Sequence, residues 1–389
     1  MSERIELHEL TKARTELTTA GVDIAILSSV ANVTYVSGVE VPIPVGAGAE
    51  LTFAPWLAVI SAAGGGAGLV VPGGAAKVSE VFGYERFEFE GFDSFHLTDP
   101  GGTYASQLLS ALKQAGATGA TGTLGVETRS LPLVAARAIQ HALPGWALVD
   151  CEAAIRLARL IKTAREISIL RRTSALADIS HNTLATLCRT AGQSEFEMFA
   201  EISKNIFAGA GHDIPLSGEL VTGPRTNVVA YPGGPRNRNT APGDAALMDL
   251  SGRFDGYWFD CTNTHVIGEV EPTMEQIRYA RASQAACEAG MGALRPGAYA
   301  HDASAAAAAA FATFGLPNAH YTGHQIGVTV NELPRLVPYD HTPIQSGMVF
   351  CVEPGAYQGP EGAFGARSEK MVLVTDSGPE VLSTFSWGI

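Results

Sequence analysis

The stretch MDLSGRFDGYWFDCT, residues 248–262, places two carboxylates in a segment that otherwise has the pattern of a hydrophobic hairpin. Asp249 and Asp260 lie among apolar, strand-forming residues. Between them, Asp255-Gly256 is a strong turn signal for two paired strands. A hydrophobic hairpin gains nothing from two negative charges, so these acids need a chemical explanation.

The hairpin admits two registers, and both place the two acids on one face. A loop of residues 253–256 sets Asp249 directly opposite Asp260, whereas a loop of Asp255-Gly256 alone sets Asp260 opposite Ser251. Side chains alternate along a strand with a period of two, so the carboxylates share a face in either case. Like charges at that spacing are destabilising. We therefore expect either a cation between the acids or an exposed face on which water solvates them.

The bulk composition indicates a globular protein of two domains. The chain has 389 residues, of which 46% are hydrophobic and 17% are charged, and its formal net charge is −13. That charge argues against nucleic acid or an anionic membrane as a partner. The N-terminal segment MSERIELHEL lacks the apolar core of a signal peptide, and the five cysteines are scattered without a CxxC motif. We therefore expect free thiols and a cytoplasmic enzyme that acts on small metabolites or peptides.

The first 150 residues alternate helix and strand, whereas the second half has an α+β pattern. LAVISAAGGGAGLVVP, residues 57–72, predicts two short strands around a glycine turn, and TYASQLLSALKQAG, residues 103–116, predicts an amphipathic helix. In the second half, strand patterns such as AALMDLSG and GMVFCVEPGAY alternate with helical segments. A domain boundary is expected near residues 155–165.

Three further residues occupy places that a purely structural role seldom explains. His324 lies in HYTGHQIGV, where the flanking glycines permit close backbone approach. Glu353 ends the strand pattern of MVFCVEPGAY, and Glu369 begins that of GARSEKMVLV. Each residue alone is most often a hydrogen-bonded core group or a strand-end acid. The order Asp, Asp, His, Glu, Glu along the second half is far more specific and is typical of metal ligands drawn from several elements.

This arrangement resembles the pita-bread metallopeptidases, a family that includes methionine aminopeptidase, aminopeptidase P, prolidase and their relative creatinase. GVDIAILSSVANVTYVSG is similar to the start of the creatinase-type N-terminal domain, and RLIKTAREISILRR is similar to the opening of the catalytic domain. RPGAYAHD, GHQIGV, SGMVFCVEPGAY and VLVTDSGPEVLS follow in the family's order. The resemblance covers nearly the whole chain. It implies an α+β protein with a creatinase-like α/β domain at residues 1–158 and a pita-bread catalytic domain at residues 159–389.

The resemblance also implies a dinuclear metal centre and a homodimer. Asp260 and Glu369 would bridge two divalent ions, Asp249 would chelate one ion, and His324 with Glu353 would hold the other. Glu353 would also accept the proton of the attacking water. An oxygen-rich set with one imidazole suits Mn²⁺, with Co²⁺, Fe²⁺ or Zn²⁺ as alternatives.

Two helper histidines of these peptidases are absent from the chain. TGPRTNVVAY places Ala230 in the first slot, and NELP places Asn331 in the second. The family's DxTRT pattern carries Asn263 in place of arginine. Asparagine retains a hydrogen-bond donor whereas alanine does not, and general acid–base help is typically worth about 10²–10⁴-fold in rate. We therefore expect a poor general Xaa-Pro dipeptidase.

Other side chains are candidates for the missing chemistry. His320, in the same segment as the metal-type histidine, and Asn331 are candidate catalytic groups together with Glu353. Arg367 matches a family arginine two positions before the last of the five ligands and is expected to orient that ligand. An ordinary structural role is favoured for three further residues: His212, His265 and Arg225.

The function expected from the sequence is metal-dependent hydrolysis of a C–N bond, in an Xaa-Pro dipeptide or in a specialised small amide. The alternative from another enzyme class is a lyase that acts on a small charged metabolite, as in relatives that act on dimethylsulfoniopropionate. A binding module that has lost catalysis is a third possibility, against which the five intact ligand positions argue. No nucleic acid or membrane partner is expected.

Overall fold

The computed structural model describes residues 7–75, 83–229 and 233–389, and the chain divides into two compact units, Met1–Leu160 and Ile161–Ile389. The five cysteines are free and buried, in agreement with the expectation of free thiols. Among the described residues, no helix combines the length and the apolarity needed to cross a membrane.

The described part of the first unit contains one mixed sheet and the helices that pack on it. Its strands are β1 (Ile24–Leu27), β2 (Leu57–Ser61), β3 (Ala67–Pro72), β4 (Glu85–Phe89), β5 (Gly122–Val126) and β6 (Trp146–Asp150). Its helices are α1 (His8–Thr19), α2 (Val30–Ser37), α3 (Gly46–Leu51), α4 (Pro100–Gln114), α5 (Leu133–Ala142) and α6 (Glu152–Leu160). The strand order is β4-β3-β2-β1-β5-β6, with β2 antiparallel to both β1 and β3 and the other neighbours parallel.

The core of the first unit lies between the central strands and α4. Ile26 and Val59 are fully buried on the sheet, and Tyr104 and Leu108 are fully buried on α4. The helix begins where the side chain of Asp99 accepts a hydrogen bond from the backbone N–H of Gly102, which is an ordinary N-cap. The predicted strand pair at 57–72 and the predicted helix at 103–116 are both confirmed.

The second unit combines long helices with antiparallel strands. Its helices are α7 (Ala164–Leu187), α8 (Glu195–Ala210), α9 (Met274–Ala293) and α10 (Ala300–Thr313), with a short 3₁₀ helix at Gly223–Thr226. Its strands are β7 (Leu216–Thr222), β8 (Ala245–Phe254), β9 (Tyr257–Val266), β10 (Gly323–Gln325), β11 (Glu332–Leu336), β12 (Val349–Val352), β13 (Gly355–Tyr357), β14 (Gly365–Arg367), β15 (Lys370–Thr375) and β16 (Gly378–Val381). The strands form the sheets β7-β8-β9, β11-β10-β12-β15-β16 and β13-β14.

Three helices of the second unit begin at capping boxes, in which the N-cap side chain and the side chain three residues later each satisfy a backbone N–H group. The pairs that form them are Thr163 with Glu166, Ser194 with Glu197, and Thr273 with Gln276. These boxes fix the starts of α7, α8 and α9. Helix α7 then packs across β8 and β9, which are the two strands of the opening hairpin.

The hairpin adopts the tighter of the two predicted registers. Phe254 pairs with Tyr257 and Ser251 pairs with Asp260, so the loop is Asp255-Gly256. Both loop residues have positive φ angles, 51° and 83°, as a type I′ turn requires.

This register places Asp249 opposite Thr262 rather than opposite Asp260. The two acids nevertheless share a face, because the register leaves an even offset between them.

The left-handed turn generates a prediction about stability. Gly256→Ala should lower the free energy of unfolding by about 1–2 kcal/mol, since a side chain disfavours the positive φ of 83°. Urea unfolding of the metal-free protein measures this cost. The matched control is Gly292→Ala on α9, where an added Cβ meets no atom within 4 Å. The control should raise stability by about 0.5–1 kcal/mol, and equal effects of the two substitutions would contradict the turn assignment.

Candidate metal centre

Five side chains from different elements of the second unit come together beside the hairpin. Asp249 lies on β8, Asp260 on β9 and His324 on β10, while Glu353 directly follows β12 and Glu369 directly precedes β15. Asp249 is half-buried, and the other four are buried. The strand pairings bring residues that are up to 120 positions apart in sequence into one cluster.

The cluster contains two overlapping groups of potential ligands. Ligand atoms of Asp260, His324 and Glu369 lie within 4.8 Å of one another, and so do those of Asp249, Glu353 and Glu369. Glu369 belongs to both groups, which is the position that a carboxylate shared by two cations would occupy. The grouping expected from the sequence, His324 with Glu353, is compatible with a separation of 3.0 Å between Nε2 and Oε1.

The tautomer of His324 leaves a lone pair directed at the acids. Its Nδ1 lies 2.9 Å from the carbonyl oxygen of Gln325, and a carbonyl oxygen only accepts, so Nδ1 carries the proton of the neutral ring. The unprotonated Nε2 then faces Glu353 Oε1 at 3.0 Å and Asp260 Oδ2 at 3.7 Å. Acceptor thus faces acceptor, and a proton or a cation must lie between them. In the metal-free protein, burial acts to lower the pKa of His324, but the hydrogen bond and charge of Glu353 outweigh burial and raise it.

Burial and mutual repulsion shift the pKa values of the acids. The pKa of Asp260 is held well above its usual value by burial and then by the charges of Asp249 and Glu353. Burial and the charges of Asp260, Glu353 and Asp249 likewise raise the pKa of Glu369. Burial also acts to raise the pKa of Glu353, but the hydrogen bond and charge of His324 lower it overall.

The donor set fits divalent cations. Oε1 of Glu369 is buried and has no hydrogen-bond donor among the described residues, so it offers a free acceptor inside the cluster. The other potential metal ligands are carboxylate oxygens and one imidazole nitrogen, which suit first-row divalent metals. The negative charges that repel one another in the metal-free protein would be neutralised by such ions.

Arg367 reaches Glu369 through a hydroxyl, in keeping with the orienting role expected from the sequence, and it also has direct acidic partners. Its Nη2 donates to Asp249 Oδ2 at 2.7 Å and to Glu219 Oε2 at 2.5 Å. Its Nε donates to Thr262 Oγ1 at 3.2 Å, and that hydroxyl donates to Glu369 Oε2 at 2.7 Å. Because β14 lies against β8 and β9, the guanidinium group of Arg367 contacts Asp249 on β8 directly. Arg367 therefore orients Asp249 directly and Glu369 only through a hydroxyl.

The sequence analysis missed three polar residues of this network. Glu219 lies opposite Asp249 in the register of β7 and β8 and is buried. Its signal was available, since it is an isolated acid in the strand pattern GELVTG. Tyr357 accepts a hydrogen bond from Arg367 Nη1 at 2.7 Å, and Ser251 donates to Asp260 Oδ1 at 2.9 Å. No local pattern distinguishes these two hydroxyls from those of ordinary strand residues.

The structure connects His320 to the network and directs Asn331 elsewhere. His320 Nε2 lies 3.3 Å from the hydroxyl of Tyr357, and burial is the main cause that lowers the pKa of this histidine. Asn331 is exposed, and its Oδ1 accepts from Arg335 Nε at 3.2 Å. No recorded contact within the described ranges joins the Asn331 side chain to the five clustered residues. Ala230 lies outside the described residues.

The three remaining candidates have packing or ion-pair contacts. His212 is exposed and stacks on Phe254 at the end of β8. His265 is buried on the face of β9 opposite the acids. Arg225 forms an ion pair with the buried Glu195.

Comparisons with known families match both units of the chain. A model of metallopeptidase family M24 matches residues 168–376, and a model of the creatinase/prolidase N-terminal domain matches residues 9–161. The first match alone spans more than half of the chain.

Individual relatives and solved structures agree with these family matches. The chain is 31% identical to the putative dipeptidase YkvY of Bacillus subtilis over 264 residues, which cover 67% of this chain and 71% of that protein. It is 32% identical to the probable dipeptidase PepE of Mycobacterium tuberculosis over 229 residues, which cover 58% of each chain. The crystal structure of a dipeptidase from Pyrococcus horikoshii OT3 superposes with a TM-score of 0.80 over 98% of this chain and 99% of that chain, at 22% identity. This last likeness concerns the fold alone.

The buried arginine generates the second prediction. Arg367→Leu leaves Asp249 and Glu219 without their cation, and loss of one partner of a buried ion pair costs about 3–5 kcal/mol. Urea unfolding of the metal-free protein at neutral pH should detect this loss. The matched control is Arg171→Leu, which removes an exposed ion pair with Glu380 and should cost no more than about 1 kcal/mol. Similar costs for the two variants would refute the network around Arg367.

Proposed function

Because this chain belongs to metallopeptidase family M24, we propose that it is a dinuclear dipeptidase of the Xaa-Pro type. Family membership makes the chain a metal-dependent hydrolase with a creatinase-type N-terminal domain and a pita-bread domain. The observation that carries the dinuclear proposal is the position of Glu369 in both groups of potential ligands. The names of the relatives, which are dipeptidases, support hydrolysis of a dipeptide over the lyase and over the binding module.

In this proposal the five clustered residues hold two divalent ions. By the family resemblance, Asp260 and Glu369 would be shared by the ions, Asp249 would hold one, and His324 with Glu353 would hold the other. The predominance of oxygen donors favours Mn²⁺, with Co²⁺, Fe²⁺ or Zn²⁺ as alternatives. When bound, the ions supply a water of lowered pKa and a polarised carbonyl group.

The chain's own residues then move the proton and hold the ligands. Glu353 accepts the proton of the attacking water, since its buried Oε1 has no hydrogen-bond donor among the described residues. Arg367 fixes the orientation of Asp249 through the 2.7 Å hydrogen bond. His320 is uncharged at neutral pH, since burial lowers its pKa, and its Nε2 contacts the hydroxyl of Tyr357 at the edge of the site.

Arg335 supports a substrate with a free carboxylate. Its exposed guanidinium carbon lies 5.9 Å from the centroid of the Tyr321 ring, and that ring lies 6.1 Å from the ring of His324. The C-terminal carboxylate of a dipeptide is one residue away from the bond that is cleaved. Because the Arg335 guanidinium group packs on a ring that neighbours His324, it is placed to pair with that carboxylate. Asn331 Oδ1 accepts from the same guanidinium group, which helps to orient it.

We also propose that the protein is a cytoplasmic homodimer that turns over slowly. Free, buried cysteines are consistent with a reducing compartment. The family resemblance supports the dimer. Asn331 and Ala230 stand where the peptidases carry histidines, so turnover of common Xaa-Pro dipeptides should fall below the usual range of about 1–10³ s⁻¹.

The substrate proposal is tested by kinetics on peptide pairs. Mn²⁺-loaded protein should hydrolyse Xaa-Pro dipeptides, and removal of the metal by a chelator should abolish the activity. Arg335→Leu should raise KM for the free dipeptide by about 10–100-fold, because a hydrogen bond to a charged group is worth about 1.5–3 kcal/mol. KM for the C-terminally amidated peptide should change much less.

The matched control for this test is Arg295→Leu, which removes another exposed guanidinium group, one bonded to the carbonyl oxygen of Gly292. It should leave both KM values unchanged. Activity that survives complete chelation would refute the metal-dependent hydrolase, and equal effects of Arg335→Leu on the two peptides would refute carboxylate recognition by Arg335.

A further inference from the structure

Tyr321 lies between the two histidines of the segment HYTGHQIGV and beside the clustered acids. Its ring centroid lies 5.6 Å from that of His320 and 6.1 Å from that of His324. Arg335 packs over the same ring at 5.9 Å. Tyr321 is 36% exposed, so one part of the side chain is enclosed by the site and another part remains accessible to a substrate.

The hydroxyl of Tyr321 is free to donate a hydrogen bond. Within the described part of the chain, no hydrogen bond to this hydroxyl is recorded. The neighbouring hydroxyl of Tyr357 is different, because it is engaged by Arg367 at 2.7 Å and by His320 at 3.3 Å. Tyr321 is therefore the accessible phenol beside the acids whose donor is not already used.

The Tyr321 hydroxyl is protonated at physiological pH, because a phenol has an ordinary pKa of about 10. Burial raises the pKa of this phenol well above its usual value, and the charges of Glu353, Glu369, Asp260 and Asp249 raise it further. A neutral phenol at this place is a donor throughout the physiological pH range.

At the two positions where the peptidases carry histidines, this chain has Ala230 and Asn331. Alanine at position 230 has no side-chain donor. Asn331 is exposed and oriented by Arg335, and no contact with the clustered acids is recorded for it in the described residues. Hydrolysis of an amide places negative charge on the carbonyl oxygen as water adds to the carbonyl carbon, and a donor aimed at that oxygen is among the largest single contributions to catalysis.

We propose that the Tyr321 hydroxyl donates a hydrogen bond to the carbonyl oxygen of the scissile bond and stabilises the charge that develops there. This inference rests on the proposed hydrolase function. The phenol keeps its proton throughout, so the step needs no proton transfer from Tyr321. Packing of the ring between Arg335 and the two histidines holds the hydroxyl in place without any other hydrogen bond.

The test distinguishes the contribution of the Tyr321 hydroxyl from that of the aromatic ring. Tyr321→Phe retains the packing against Arg335 and removes only the donor. On Xaa-Pro dipeptides, kcat should fall by about 10²-fold, the usual effect of removing one such donor, while KM should change by less than about threefold. A purely structural role of the ring would leave kcat unchanged in this variant.

A second readout does not depend on turnover. A phosphinic pseudodipeptide, in which a tetrahedral PO₂–CH₂ group replaces the scissile amide, is titrated calorimetrically into Mn²⁺-loaded protein. Tyr321→Phe should weaken its binding by about tenfold or more, because the analogue resembles the transition state. The affinity for free proline, a product without the tetrahedral group, should not change. Tyr339→Phe serves as control, since Tyr339 is 77% exposed, and it should alter none of these quantities.

The outcomes distinguish this inference from the proposed function. Unchanged kcat together with unchanged phosphinate affinity in Tyr321→Phe overturns the role of Tyr321 and leaves the hydrolase proposal standing. A wild-type protein that cleaves no dipeptide overturns the proposed substrate, while the ratio of phosphinate affinities still decides the role of Tyr321. A wild-type protein that neither cleaves a dipeptide nor binds the phosphinate overturns both.

Discussion

Repulsion among buried carboxylates is the constraint around which the second unit is organised. Asp249, Asp260, Glu353 and Glu369 lie within one cluster, and Glu219 is added to it from β7. Arg367 compensates one of these five charges, which leaves four. Two divalent cations would neutralise the remaining charge. The same repulsion, together with burial, raises the pKa values of Asp260 and Glu369 in the metal-free protein.

The surrounding polar groups serve to fix these carboxylates rather than to neutralise them. Ser251 donates to Asp260, Thr262 donates to Glu369, and Tyr357 steadies Arg367. Each hydroxyl bonds to one carboxylate oxygen or one N–H group. The other carboxylate oxygen stays free to bind a cation. This division is typical of metal sites, where groups outside the ligand set orient the ligands. The chemistry of the site therefore depends on the register of the β8–β9 hairpin and on the pairing of β14 with its neighbours.

Local sequence patterns were sufficient for the part of the site that depends on strand periodicity. The shared face of Asp249 and Asp260 followed from alternation and is the same for the loops of two and of four residues. The actual register required a choice between two loops, which the positive φ angles of Asp255 and Gly256 decide. The family order of five residues was enough to predict which acids converge.

Contacts between distant strands were the part that the sequence could not predict. Arg367 was expected beside Glu369, two positions away, but its guanidinium group reaches across to Asp249 and Glu219. Tyr321 was overlooked because a tyrosine next to a histidine has no local signal, and its position beside the ring of His324 emerges only from the folded chain. Asn331 likewise contacts Arg335, which lies four residues further along the chain, rather than the clustered residues.

The central claim is that Glu369 is shared by two cations, and anomalous diffraction from Mn²⁺-soaked crystals tests it most directly. The account predicts two anomalous peaks a few ångströms apart at the manganese edge, with the carboxylate of Glu369 contacting both. Asp249 and His324 should lie on opposite sides of the pair. A single peak, or two peaks of which Glu369 contacts only one, would contradict the account.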